Sequence, residues 1–109
     1  VELLDPFSLM WSIGPSLAEG RMRLGAAITS DTRVYFMGGA PRASGAASAV
    51  PYAMPTSGAI VPVAPMPTPR SWPGVVTLSD GRILVIGGTT DAGVTSVVET
   101  YNFRTNTWR

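Results

Sequence analysis

Cysteine and histidine are both absent from the 109 residues. Without cysteine there is no disulfide, no thiol nucleophile and no thiolate metal site. Without histidine the commonest metal ligand and the commonest general base are gone. Lysine is missing too: the eight basic residues are all arginine, and seven acids nearly balance them. A net charge of +1 supplies no electrostatic footprint for nucleic acid or for an anionic membrane. Charged residues make up only 14%, against roughly 25% in an average domain. Long apolar runs are also lacking. The two most apolar, Val34–Met37 and Ile83–Ile86, are each far shorter than the ~20 residues of a membrane-spanning helix. Val1–Leu4 is apolar, but Asp5-Pro6 follows at once, so no signal peptide is expected. A first residue of Val rather than Met suggests a processed or excerpted chain. No stretch has helical periodicity, and 12 Gly with 10 Pro oppose helices.

What is present is a repeat. Sliding the sequence by 49 positions aligns 21–60 on 70–109 without a gap, with ten of forty pairs identical. Both copies read Arg, Gly, Ser-Asp-x-Arg, Gly-Gly, Tyr, Thr at fixed spacing. The first set is Arg21, Gly25, Ser30-Asp31-Thr32-Arg33, Gly38-Gly39, Tyr52 and Thr56; the second is Arg70, Gly74, Ser79-Asp80-Gly81-Arg82, Gly87-Gly88, Tyr101 and Thr105. A partial third copy opens the chain, where Val1-Glu2 through Trp11 matches Val98-Glu99 through Trp108.

Each unit reads as short strands. Gly74–Leu78 is β-rich, and Asp80-Gly81 is a strong two-residue hairpin signal. Ile83–Ile86 does not alternate, which predicts a strand buried on both faces. Gly87-Gly88 ends it in a sharp turn or a close backbone approach. A polar loop at 89–95, a strand at 96–101, a turn at 102–107 and a last strand beginning at Trp108 complete the unit. In the first unit, 40–69 is rich in Ala, Pro, Ser and Gly. It reads either as a low-complexity linker or, since Tyr52 keeps its distance from Gly39, as a worn version of the same strands. Ala59 then holds the Trp position, and Pro51, Pro62 and Pro65 are expected on exposed outer strands.

These residues resemble the kelch repeat, with its double Gly, Glu-x-Tyr and Trp at a period near 50. Met66–Arg70, Leu78–Gly88, Glu99-Thr100-Tyr101 and Trp108 carry the resemblance. It implies an all-β fold of four-stranded antiparallel blades belonging to a β-propeller. The chain would supply a partial blade of outer strands at 1–20, a degenerate first blade at 21–69 and a second blade at 70–109 truncated in its last strand. A propeller closes with about 4–8 blades, so some two blades make an incomplete ring, and remaining blades of the same propeller are expected elsewhere. Within the superfamily the sequence is similar to the galactose and glyoxal oxidases. Their copper-radical chemistry uses a Tyr joined to a Cys, with His ligands. The resemblance would put that Tyr at Trp72 and the Cys near Arg23, and neither residue is present.

Candidate chemistry is sparse. Asp31 and Asp80 are either paired carboxylates or, in both copies alike, local acceptors in tight turns. The Gly-Gly pairs precede neither a helix nor a Lys, so a phosphate loop is not supported. Arg21 and Arg70 precede the first strand of each unit, where the resemblance implies that an Arg can face the central funnel and grip a carboxylate. The loops at 40–48 and 89–95 would lie on the same face, with Arg42 and Asp91 as their charged members; loops on a rigid scaffold are where recognition concentrates. Trp72 is unmatched in the other copy and is the aromatic most open to a role. The reading is a non-catalytic propeller fragment that holds a protein or carbohydrate ligand on its loop face through Arg21, Arg70, Arg42, Asp91 and Trp72, with no metal, cofactor, nucleic acid or membrane. The alternative is a fragment of an oxidase-like propeller that lacks the Cys–Tyr pair.

Overall fold

The computed structural model describes residues 1–43 and 45–109. Among them every regular element is a strand. Strands β1 (Glu2–Leu4) and β2 (Trp11–Ile13) form an opening hairpin. A four-stranded antiparallel sheet follows, built from β3 (Gly25–Ile28), β4 (Val34–Met37), β5 (Tyr52–Met54) and β6 (Val61–Pro62) in sequence order. The second such sheet takes β7 (Gly74–Thr77) and β8 (Ile83–Ile86), then β11 (Val98–Asn102) and β12 (Thr107–Trp108). The segment expected as a plain loop at 89–95 is a small hairpin of its own, β9 (Thr89–Thr90) on β10 (Gly93–Val94).

The two sheets repeat in backbone as well as in sequence. Left-handed φ recurs at Arg23 and Trp72 (61° and 56°), at Thr32 and Gly81 (64° and 89°), and at both Gly-Gly pairs. The Ser-Asp-x-Arg turns close alike, through Thr32 N to Thr29 O and Gly81 N to Leu78 O, both 2.9 Å. The opening hairpin matches the outer strands of the second sheet: Leu4 opposes Trp11 as Tyr101 opposes Trp108. Leu9 and Asn106 share a left-handed turn position (58° and 54°).

One expected equivalence fails. Ile83 opposes Tyr101, whereas its counterpart Val34 opposes Met54, not Tyr52. Tyr52 instead opposes Phe36, just as Glu99 opposes Val85. The loop after Gly39 is two residues longer than the loop after Gly88, so Tyr52 holds the place of Glu99 and the shared Tyr spacing is a coincidence. By the same register Ile60, rather than Ala59, stands where Trp108 does.

The core lies between the sheets. Tyr35, Met37, Ala53 and Met66 meet Ile83, Val85 and Tyr101, with Phe103 and Trp108 against them. The aromatic contacts are tilted, with centroids 5.7 Å apart for Tyr35–Tyr101 and 5.1 Å for Tyr101–Trp108, a favourable arrangement of ring quadrupoles. Gly25 has no side chain to hold Val75 away, which lets β3 and β7 approach closely. The outer edge is stitched: Asn106 Oδ1 accepts from Ala64 N (2.8 Å) and from the Tyr101 hydroxyl (2.9 Å), and Trp108 Nε1 donates to Ala64 O (2.8 Å). Ile83–Ile86 is not buried on both faces as expected. Ile83 and Val85 are fully buried but Ile86 is 41% exposed, because among the described residues another sheet packs against one face of this sheet only. Pro62 does sit in an outer strand, whereas Pro51 is fully buried just before β5.

Candidate functional site

Each double glycine acts on the residues just before the next strand. Gly39 and Gly88 adopt φ of 89° and 98°, and a Cβ on either would lie 2.6 Å from Met22 O or 2.5 Å from Ser71 O. This close approach permits the bridges Met22 to Ala40 and Ser71 to Thr89. The next residue, Arg23 or Trp72, is forced into the left-handed region at the loop end of the sheets. A non-glycine residue there is strained.

The two arginines expected to face a ligand are turned inward. Arg70 is fully buried. Its Nη1 donates to Gly87 O (3.1 Å) and Val97 O (2.6 Å), its Nε to Thr68 O (3.1 Å) and its Nη2 to Glu99 Oε2 (2.7 Å). The Thr68 hydroxyl donates to the other Glu99 oxygen at 2.8 Å. Arg21 spans the same two backbone points, Gly38 O (3.4 Å) and Val50 O (2.6 Å). Its guanidinium then rests 5.0 Å from the Tyr52 ring centre instead of on a buried carboxylate. Glu19, largely exposed, lies 3.5 Å away. Both side chains therefore tie the loop end of their own sheet together.

The aspartates of the turns are likewise local acceptors. Asp80 takes the Arg82 amide at 3.0 Å, the main reason its carboxyl sits below the ordinary range. Burial pushes Asp31 upward, but hydrogen bonds from the Thr29 and Tyr35 hydroxyls outweigh it and leave the carboxyl lowered. Tyr35 is pushed up to about 12 by burial and by Asp31.

Trp72 and Asp91, by contrast, share a recess of about 190 Å³ at the loop end, with Arg23, Ser71, Thr89 and Thr90. The Arg23 guanidinium stands 5.5 Å from the Trp72 ring centre and donates to Ala43 O at 2.8 Å. Trp72 N donates to Arg23 O at 2.8 Å, and its side chain leaves the residue 65% exposed. Asp91 uses one oxygen to accept the Ala47 amide at 3.0 Å. Arg42 is exposed on the neighbouring loop but does not line the recess; residue 44 of that loop lies outside the described residues. Arg23 was legible only as the repeat partner of Trp72, a pairing that here becomes a stacking contact. Among the described residues no three potential metal-ligating side chains converge.

The Kelch motif profile matches residues 74–109. Kelch-like protein 40 of Xenopus tropicalis is 35% identical over 81 residues, which is 74% of this chain and 13% of that protein. The human Kelch-like protein 40 is 50% identical over 46 residues, 42% of this chain and 7% of its own length. This is a kelch-repeat chain. Its two sheets are kelch blades, and it spans about a tenth of the length of the curated kelch relatives it matches. The fold also superposes on a fungal alcohol oxidase of the AA5 family, solved in complex with copper, with a TM-score of 0.76 at 22% identity. That match covers 99% of this kelch chain and 22% of the oxidase chain.

Proposed function

We propose that this kelch chain is the non-catalytic binding part of a larger propeller and that it holds a protein partner on its loop face, at the recess of Trp72, Arg23 and Asp91 with Arg42 beside it. The observation that carries this reading is the Arg23–Trp72 stack. The resemblance to the galactose and glyoxal oxidases would put their Tyr at Trp72 and their Cys near Arg23, and arginine and tryptophan cannot form that cross-link. With no Cys in the sequence and Trp in place of the Tyr, the residues present do not fit the Cys–Tyr pair of a copper-radical centre. What the recess offers instead is a strained, exposed aromatic with a guanidinium and a carboxylate beside it. Tryptophan and arginine are the residue types enriched where partner proteins gain most of their affinity. Similarity to Kelch-like proteins supports a protein ligand. The exposed Trp72 ring also suits the apolar face of a sugar, which is the carbohydrate form of the same reading.

Arg21 and Arg70 enter this proposal only as scaffold. Residues 1–20 are proposed as the outer part of a further blade, 21–69 as the first full blade and 70–109 as the second. The test is the affinity of a captured partner for the chain and its variants. Trp72→Ala should weaken binding at least tenfold, with smaller losses for Asp91→Ala and Arg42→Ala. Unchanged affinity in all three overturns the loop-face site. Glycan binding abolished by Trp72→Ala would select the carbohydrate form. Stoichiometric copper with alcohol-dependent peroxide formation would overturn the non-catalytic reading.

A further inference from the structure

Ser71 and Thr89 face each other across the isolated bridge at the start of the second blade, exchanging both backbone hydrogen bonds at 2.8 Å. Both line the loop-face recess, and Ser71 is only 8% exposed. Among the described residues neither hydroxyl makes a hydrogen bond, whereas that of the neighbouring Thr90 donates to Gly93 O at 3.1 Å. A polar group so nearly buried ordinarily has a partner. The first blade shows that the bridge does not need these hydroxyls. It makes the same bridge, at 2.9 and 3.0 Å, with Met22 and Ala40, and Gly39 approaches Met22 O as Gly88 approaches Ser71 O.

Two charged residues line the recess, Arg23 and Asp91. They have opposite signs, yet neither belongs to an ion pair among the described residues. Each is held instead by backbone of the first blade's loop. Arg23 Nη1 donates to Ala43 O at 2.8 Å, and Asp91 Oδ1 accepts from Ala47 N at 3.0 Å. The other Asp91 oxygen and the remaining guanidinium nitrogens of Arg23 make no hydrogen bond among the described residues. Arg42 is exposed and lies outside the recess, where solvent screens its charge. The first blade's loop and the second blade together wall the recess, so it depends on neither end of the sequence.

We propose, resting on the loop-face reading, that this recess seats a primary carboxamide, the side-chain end of a glutamine or asparagine of the protein partner. A carboxylate would gain from Arg23 and lose to Asp91. An ammonium or guanidinium would do the reverse, and either would shed the hydration of a full charge on entry. A carboxamide is neutral and brings two N–H donors with one carbonyl acceptor. Its donors suit the free Asp91 oxygen and its acceptor suits Arg23, both as charge-assisted hydrogen bonds. The Ser71 hydroxyl can donate or accept and so can serve either end of the group.

The probe is N-acetyl-glutamine N-methylamide, titrated into the 109-residue chain while the backbone amides are followed by NMR. The matching glutamate and lysine derivatives and methyl β-glucoside are titrated alongside. The amides of Ser71, Thr89 and Asp91 should shift saturably, with the glutamine derivative bound at least fivefold more tightly than the other three. Ser71→Ala should weaken it at least threefold. Asp91→Asn should turn the preference toward the glutamate derivative and Arg23→Gln toward the lysine derivative, a reversal that a merely structural role would not produce. Amides remote from the recess report whether each variant stays folded. No saturable shift, a preference of the parent chain for a charged derivative or for the glucoside, or a selectivity unmoved by Asp91→Asn would overturn the carboxamide assignment. The loop-face reading fails by a different result, unchanged affinity of the captured partner for the Trp72, Asp91 and Arg42 variants. A partner lost on Trp72→Ala, with no glutamine derivative bound, would remove the carboxamide alone.

Discussion

The two blades solve one problem in different ways. Each must hold the end of its second strand against the start of its third, and each threads an arginine between two backbone carbonyls to do so. The second blade completes the arrangement with Glu99, which also takes the Thr68 hydroxyl, so the guanidinium and the carboxylate are both desolvated and both satisfied. The first blade sets Tyr52 under the guanidinium, and Arg21 Nε has no hydrogen-bond partner among the described residues. The comparison teaches that the carbonyl-spanning arginine is the constant element of the fold and the carboxylate is an addition. The addition is costly to break, since a buried charge left alone has no water to turn to.

That difference is open to attack at its strongest point first. Arg70→Ala should destabilise the chain by about 3–5 kcal/mol, the usual cost of stranding one member of a buried ion pair. Arg21→Ala should cost nearer 2 kcal/mol, in the range of hydrogen bonds to a charged donor. Urea unfolding of both variants measures the gap. Tyr52→Glu would sharpen it: in that background Arg21→Ala should approach the cost of Arg70→Ala. If the two arginine variants cost the same in the parent chain, Glu99 contributes nothing particular to the second blade.

A smaller effect separates glycines of the second blade. Gly88→Ala combines left-handed backbone with a Cβ 2.5 Å from Ser71 O. Gly93→Ala meets open space at a similarly positive φ. The first should cost about 2–3 kcal/mol and the second about 1 kcal/mol, read from thermal or urea midpoints.

Smallest is the contrast between the turn aspartates. Both carboxyls are lowered in the folded chain. Each therefore contributes stability that is present above its unfolded pKa near 4 and is lost as the pH falls through the folded value. Asp31, part-buried with the Tyr35 hydroxyl on it, should account for more of the acid destabilisation than exposed Asp80. Asp31→Asn should flatten the pH dependence of stability between pH 5 and 2 more than Asp80→Asn does.

Much of this architecture was legible in the residues. The Ser-Asp-x-Arg turns, the Gly-Gly breaks and the apolar runs Val34–Met37 and Ile83–Ile86 mark strand ends by local chemistry, and local chemistry survives in any context. The site was less legible. Spacing placed Tyr52 beside Tyr101, but only the ladder register reveals the two-residue insertion that moves it to the place of Glu99. Arg21 and Arg70 were visible as repeated charges. Their inward direction depends on carbonyls 17 to 29 residues away, which no local pattern encodes. Trp72 stood out as the unmatched aromatic, yet its contact with Arg23 follows from how one sheet lies on the next.

The seam at Ala64 bears on how such a chain is made. Its amide and carbonyl are held by Asn106 and Trp108, residues 42 and 44 positions further on. On a ribosome adding roughly 5–20 residues per second, the closing segment of one module waits seconds for the clasp that its successor brings. Maturation would then run in one direction like a zip fastener, each module leaving a loose trailing flap until the next arrives. A stall just before Asn106 would leave that flap unfastened on the nascent polypeptide.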